Sequence, residues 1–255
     1  MAKSEIKAGL NTRNKYVHWY LDKNVDHFAT FKLEGEENLD AARELSEDPL
    51  NDITFIPNHG SNLDAPGLDR ALERFGYPDL ESKLVYLLGI KLKNNPGTAP
   101  LTYAVDHIPV YPLDTLPKET KEQKVEAIRL TRGTLEAVKE VRKQGRIIVV
   151  FAEGTRTRTG KMQQGKEQVS HYISPRKGRN SYVVPIGIDG TFEMYPPGRK
   201  LFRSGEVMIN VGVPVDVREY ENQAEDKQEL VDAMMIKVAR LIPEEKRGFY
   251  ASYVV

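Results

Sequence analysis

Ile53-Thr54-Phe55-Ile56-Pro57-Asn58-His59-Gly60-Ser61-Asn62-Leu63-Asp64-Ala65-Pro66 is the stretch from which the rest of the chain can be read. Ile53 to Ile56 form a short apolar run of strand type, and Leu68, Leu72 and Phe75 recur at helical spacing until Gly76 closes the series. The order is strand, turn, helix. On one continuous helix, residues spaced as His59 and Asp64 are would diverge by about 140°, too far to cooperate. They meet only if the helix begins after His59. Asp64 then suits the N-cap, and Ala65 and Pro66 suit the first turn, where proline costs least and the partial positive charge favours a carboxylate. A carboxylate bonded to one ring nitrogen fixes the tautomer, stabilises the imidazolium and leaves the other nitrogen to take a proton from a hydroxyl. The competing reading of His59 is a helix cap or a packed strand end, and spacing alone does not separate the two.

A second stretch bears on that choice: Ile147-Ile148-Val149-Val150-Phe151-Ala152-Glu153-Gly154-Thr155-Arg156-Thr157-Arg158-Thr159-Gly160. Its apolar half is a continuous run of strand length, suited to a parallel strand covered on both faces. Chemistry in open α/β sheets gathers at the carboxyl ends of such strands, where both His59 and Glu153 emerge. Gly154 lets the chain turn close to a ligand, and the guanidinium forks of Arg156 and Arg158 match a phosphate. Glu153 is placed to position acceptor hydroxyls or to brace the arginines. Surface arginines on a loop are the alternative. The stretch fails as a nucleotide phosphate loop, because the spacing between Gly154 and Gly160 is too long and Met162 stands where a hydroxyl must meet magnesium.

Together, Asn58-His59 with Asp64, followed by Phe151-Ala152-Glu153-Gly154-Thr155-Arg156, resemble the first and third motif blocks of the glycerolipid acyltransferase family, which includes glycerol-3-phosphate and lysophosphatidic acid acyltransferases. Val183-Val184-Pro185-Ile186 is similar to the family's fourth block, an apolar, proline-containing strand. Arg129-Leu130-Thr131-Arg132-Gly133-Thr134-Leu135, with Arg156 and Arg158, further resembles the soluble chloroplast-type glycerol-3-phosphate acyltransferases. The likeness runs from about residue 50 to about residue 215. It implies His59 and Asp64 as catalytic residues and Glu153, Gly154, Thr155, Arg156 and Arg158 as substrate-binding residues. Two positions depart from the pattern. Ala152 stands where the family usually has proline, and the cation of the second block is missing from Asp106-His107-Ile108-Pro109-Val110-Tyr111-Pro112.

The 255 residues suit one large domain, and the formal net charge of zero gives no argument for nucleic acid. The absence of cysteine excludes a disulfide framework and thiolate catalysis. The longest apolar run, Ile147 to Ala152, is far short of the roughly 18 to 20 residues of a spanning helix, and the N-terminus lacks the apolar core of a signal peptide. The expectation is a soluble or peripherally membrane-associated protein of the cytoplasm or an organelle stroma. His18, His27, His107 and His171 are scattered without metal-ligand spacing, so no metal and no cofactor is expected.

Residues 1–50 read as an N-terminal helical segment ahead of an acyltransferase α/β domain at 51–255. Tyr16, Val17, Trp19, Tyr20, Val25, Phe28 and Phe31 crowd this segment. They suit either a lipid surface or a core, and the acidic flanks without a basic cluster favour the core. Leu84 to Leu88 suits a buried strand, Lys91 to Gly97 a polar loop, and His107 to Val110 a strand that Pro109 confines to an edge or an end. A helix is expected from Lys118 to Gln144, with Val125, Ile128, Leu135, Val138 and Val141 as its apolar stripe and Gly145 as its stop. Val183 to Ile188 and Val207 to Val213 supply further strands, and Asp226 to Ile242 a last helix. The basic groups Arg176-Lys177-Arg179 and Arg199-Lys200-Arg203 suit an acidic carrier protein, coenzyme A phosphates or anionic headgroups, or else plain solvent.

The fold class that follows is α/β, a mixed, largely parallel central sheet covered by helices on both faces. The implied reaction moves a fatty acyl group from acyl-CoA or acyl-carrier protein to glycerol 3-phosphate, with a lysophospholipid as the alternative acceptor. His59 acts as general base without a covalent acyl-enzyme, since Ser61 lacks the glycine-flanked nucleophile elbow. Amides near Gly60 or Gly154 are the candidate oxyanion donors. A non-catalytic lipid-binding protein of the same fold and a thioester hydrolase are the competing classes.

Overall fold

Burial alternates along the Ile147 stretch, and this explains the layers. Ile147 and Val149 join a core on one side of the sheet, while Ile148 and Val150 join a core on the other. A computed structural model describes residues 9–90, 92, 99–111, 120–199 and 201–254. Among these, one sheet of eight strands runs through β1 (Ala29–Glu34), β2 (Asn51–Pro57), β3 (Leu84–Gly89), β4 (His107–Val110), β5 (Ile147–Val149), β6 (Asn180–Asp189), β7 (Gly205–Val211) and β8 (Val215–Asp216). Their spatial order is β1-β7-β6-β2-β5-β3-β4, with β8 paired to β6. β6, β2, β5, β3 and β4 are mutually parallel; β1 and β7 run together in the opposite direction. The fold is the expected mixed, largely parallel α/β sheet.

The helices α1 (Lys15–Phe28), α2 (Glu36–Leu45) and α3 (Asp64–Arg74) bury Leu21, Val25, Leu39, Ala42, Leu68 and Leu72 against one face. The helices Lys121–Lys143 and Lys227–Ala239 bury Val138, Val141, Leu230 and Met234 against the other. A fully buried side chain such as Phe55 or Leu68 contributes about 1.5–3 kcal/mol, so this double cover is what holds β2 and β5 in the interior. Beneath α3, the Tyr86 hydroxyl donates to Asp69 Oδ1 at 2.5 Å. Complete burial pushes the Asp69 carboxyl well above its usual range.

Several expectations change on the folded chain. The N-terminal segment is not purely helical, because β1 intervenes between its two helices and pairs in register with β7, from Ala29 opposite Gly205 to Glu34 opposite Asn210. Phe31 owes its burial to that strand. The aromatic cluster is split by the helical period: Leu21 and Val25 face the core, whereas Tyr16, Trp19 and Tyr20 are 85%, 60% and 61% exposed. On Lys121–Lys143 the apolar stripe works only in its second half, since Val125 and Ile128 point to solvent. Thr120 caps this helix through a reciprocal box with Gln123, so it starts later than Lys118, which lies outside the described residues. Of the expected polar loop, Lys91 and residues 93–98 also lie outside them, as do Pro112 and Lys200. β4 is an edge strand, where Pro109 forfeits least.

The first basic group is spent inside the fold. Arg176 donates twice and Arg179 once to the buried Asp52, each at 2.8 Å, with Arg142 Nη1 3.8 Å from the same carboxylate. Burial pushes Asp52 up, but Arg176, Arg142 and Arg179 hold its carboxyl below the usual range. Asp52 is the second residue of β2, so this cluster sits at the amino ends of the parallel strands, opposite to His59.

Candidate functional site

β2 ends at Pro57, and the next residue carries the sheet one step further by its side chain. Asn58 Nδ2 donates to the Ile188 carbonyl at 2.9 Å, and Ile188 N donates back to Asn58 Oδ1 at 2.7 Å. The asparagine amide imitates a strand peptide and ties the turn to β6, a role that spacing alone did not assign. His59 then leaves the sheet with its backbone fixed.

His59 Nδ1 lies 2.8 Å from Asp64 Oδ2. The same oxygen accepts Ser61 N at 2.9 Å, and Asp64 Oδ1 accepts the Thr191 hydroxyl at 2.6 Å. Asp64 is fully buried, so these donors replace water for an anion, and the Nδ1 proton is held toward it. Asp64 is the first residue of α3, not its N-cap, which is Leu63 without a side-chain bond. The carboxylate therefore serves the turn behind it instead of the helix ahead. The imidazole stacks on Phe151, with ring centroids 4.2 Å apart and an interplanar angle of 24°. The ring is 16% exposed, and Nε2 has no hydrogen-bond partner among the described residues. This is a buried carboxylate behind a solvent-reaching imidazole, able to take a proton from a hydroxyl that approaches Nε2.

Glu153 is turned inward and held by two backbone amides. Its Oε1 accepts His59 N and its Oε2 accepts Gln163 N, both at 2.8 Å, and the side chain is buried. Burial pushes its carboxyl up to about 8, against the two amide bonds that favour the anion. Glu153 thus bridges the backbone of the His59 turn to the returning arm of the loop that follows it. Thr157 N donates to the His59 carbonyl at 3.0 Å, so both backbone groups of His59 are held from this loop.

Thr157 is buried by that bond, and its neighbours Arg156 and Arg158 are half-buried and exposed. Neither arginine makes an ion pair or hydrogen bond among the described residues, which leaves two guanidinium groups available beside the His59 turn. Thr155 is exposed, and its carbonyl accepts Gln163 Nε2 at 3.2 Å. Gly154 has φ +71°, a conformation that disfavours a side chain, and its N–H donates to Phe151 O at 3.0 Å. Its amide is therefore engaged, whereas the Gly60 amide is without a partner among the described residues. Ser61 is buried, with its hydroxyl donating to Tyr195 O at 2.8 Å and accepting Leu63 N at 3.2 Å.

Thr191 was missed from the sequence. Its only local sign is its position just past the carboxyl end of β6, beside β2. His18, Asp22 and Glu73 offer ligand atoms within 4.8 Å of one another on α1 and α3. Arg13 Nη1 already approaches His18 Nε2 at 3.2 Å and Arg70 binds Glu73 at 2.7 Å, so the group is neutralised as an ion-pair network.

A mostly parallel sheet whose carboxyl ends gather a histidine–aspartate pair and two arginines without partners among the described residues has the layout of an α/β enzyme of the transfer or hydrolysis class. The acyltransferase family model matches residues 30–189, and the chain belongs to the acyltransferase family. Among solved structures it is similar to the 1-acyl-sn-glycerophosphate (LPA) acyltransferase PlsC from Thermotoga maritima. The two are 22% identical with a TM-score of 0.52, over 88% of this chain and 79% of that one. No curated protein matches. Among the described residues, no helix is long and apolar enough to cross a membrane.

Proposed function

We propose that this acyltransferase moves a fatty acyl group from an acyl-CoA or acyl-carrier-protein thioester to the free hydroxyl of a 1-acylglycerol 3-phosphate. His59 Nε2 takes the hydroxyl proton as the acceptor oxygen bonds to the thioester carbonyl carbon. The carbonyl oxygen becomes an oxyanion that the Gly60 amide can receive. Collapse breaks the carbon–sulfur bond, and the imidazolium returns its proton to the leaving thiolate. Asp64 compensates the imidazolium throughout. The observation that carries this reading is the 2.8 Å bond from His59 Nδ1 to the buried Asp64, with Nε2 left for the substrate. The engagement of the Ser61 hydroxyl by Tyr195 and Leu63 supports direct attack without an acyl-enzyme.

Arg156 and Arg158 suit the acceptor phosphate, each able to donate a charge-assisted pair of bonds. The amphiphilic acceptor is favoured by the exposed Tyr16, Trp19 and Tyr20, side chains suited to a membrane interface, and by the fold shared with the Thermotoga lysophosphatidate enzyme. Glycerol 3-phosphate is the second reading, favoured by the resemblance of Arg129 to Leu135 to the soluble enzymes.

The test is thiol release from a long-chain acyl-CoA by wild type and His59→Ala, with 1-acylglycerol 3-phosphate, with glycerol 3-phosphate, and with neither. Release that needs lysophosphatidate and is lost with His59 supports the proposal. Release that needs only glycerol 3-phosphate selects the second reading. Release independent of any acceptor would make the protein a hydrolase. Failure with both acyl-CoA and carrier-protein donors would mark a non-catalytic protein.

A further inference from the structure

Asp64 is useful to His59 only if its carboxylate cannot turn. Oδ2 is held by two donors, His59 Nδ1 and Ser61 N. Oδ1 has a single donor among the described residues, the Thr191 hydroxyl at 2.6 Å. Asp64 and Thr191 are 0% and 2% exposed, so water is not available to replace that bond. The backbone that carries the hydroxyl is held by a close turn. Gly190, at φ +87°, makes the turn out of β6 where a side chain would strike the Glu206 carbonyl. Thr191 then begins a short helix in which Tyr195 N donates to its carbonyl at 2.9 Å. The Thr191 methyl faces Gly67 of α3, where an added Cβ would sit 3.9 Å away. Its hydroxyl faces Gly60, where an added Cβ would sit 3.6 Å away. The side chain thus lies between two glycines in ordinary contact, with its methyl toward Gly67 and its hydroxyl on Asp64 Oδ1.

We propose that Thr191 is a positioning residue for acyl transfer. It anchors Asp64 Oδ1 from a third chain segment, so that Oδ2 keeps the His59 ring in register with the acceptor hydroxyl. This inference rests on His59 acting as the general base. It gives the segment after β6 a part in the chemistry without contact with substrate.

The measurement is steady-state acyl transfer by wild type, Thr191→Val, Thr191→Ser and His59→Ala, together with the downfield proton NMR signal of His59 Nδ1–H. Thr191→Val keeps the shape and loses only the donor. Displacing the ring by up to about 1 Å lowers kcat about 10- to 100-fold, with the KM of donor and acceptor held within about twofold. The Nδ1–H signal should broaden or vanish, and Thr191→Ser should restore both readouts. If Thr191→Val does not fold, Thr191→Ala serves in the same comparison. An unchanged kcat and NMR signal in the folded valine or alanine variant would overturn the inference, as would a serine variant that folds without restoring them. An active His59→Ala protein would instead overturn the general-base reading. An inactive one beside an unaffected Thr191→Val would overturn only the role of Thr191.

Discussion

Replacing Glu153 with glutamine isolates a contest between two opposing effects. Burial penalises the carboxylate, while amide donors from His59 and Gln163 favour it. Burial prevails, and the carboxyl is pushed from 4.5 to about 8 in the fold. The sign of the consequence is fixed by linkage. Below the ordinary value both folded and unfolded chains hold the proton, and the contribution to stability is at its highest. Above it the unfolded chain ionises while the folded chain must keep the proton, and stability falls by about 1.4 kcal/mol per pH unit until the folded carboxyl also titrates. The whole decline amounts to roughly 4–5 kcal/mol as an upper bound. Glu153→Gln has no such titration. The stability of wild type relative to Glu153→Gln should therefore fall as pH rises from 4.5 to about 8 and be level beyond. Urea unfolding of both proteins, followed by far-ultraviolet circular dichroism at several pH values, reads this difference. A difference that stays level through the window would refute the reasoning, because it would mean that the two amide bonds outweigh burial. The glutamine also sets an N–H against one of the two backbone donors, which costs about 1–3 kcal/mol and loosens one arm of the His59 turn.

Three other perturbations test separate parts of the account. Arg156→Ala and Arg158→Ala should each raise the KM of a phosphorylated acceptor about tenfold, with kcat little changed, and should leave the KM of an unphosphorylated monoacylglycerol unaltered. An equal effect on both acceptors would exclude phosphate binding. Asp52→Ala leaves Arg176, Arg179 and the buried Arg142 without their shared anion, and should destabilise the fold by about 3–5 kcal/mol in urea. A loss under about 1 kcal/mol would show that the cluster is solvated in solution. Tyr86→Phe removes the donor to Asp69 while keeping the ring, and should cost about 1–3 kcal/mol of stability, read as a lower urea midpoint with an unchanged slope.

Local chemistry carried much of this fold. The apolar runs at Ile53 to Ile56 and Ile147 to Val150 state a doubly covered parallel sheet in their own composition, because a strand buried on both faces needs no polar alternation. The helical period showed that His59 and Asp64 can meet only outside a continuous helix, and it took the second motif stretch, with the family resemblance, to read them as a pair. The Glu153 to Arg158 stretch was readable as a loop at a strand's carboxyl end for the same kind of local reason.

What tertiary structure decided depends on contacts between segments far apart in the chain. Glu153 looks outward when read as part of a loop, yet its carboxylate turns inward to the amides of His59 and Gln163. Arg176 and Arg179 look like a docking patch until Asp52 is folded against them. Residues 29–34 alternate apolar and polar side chains, the period of a half-buried strand, but so short a run beside two helices is settled only by pairing with β7. Tyr16, Trp19 and Tyr20 are core-like in composition and exposed in fact, since α1 turns only Leu21 and Val25 fully inward. Thr191 is the clearest case. By sequence alone this chain determined the strands of a covered sheet and, through its motif blocks, named His59 and Asp64 together, because period and motif are local properties. That a hydroxyl meets the second oxygen of Asp64 was decided only when β6 came to lie beside β2.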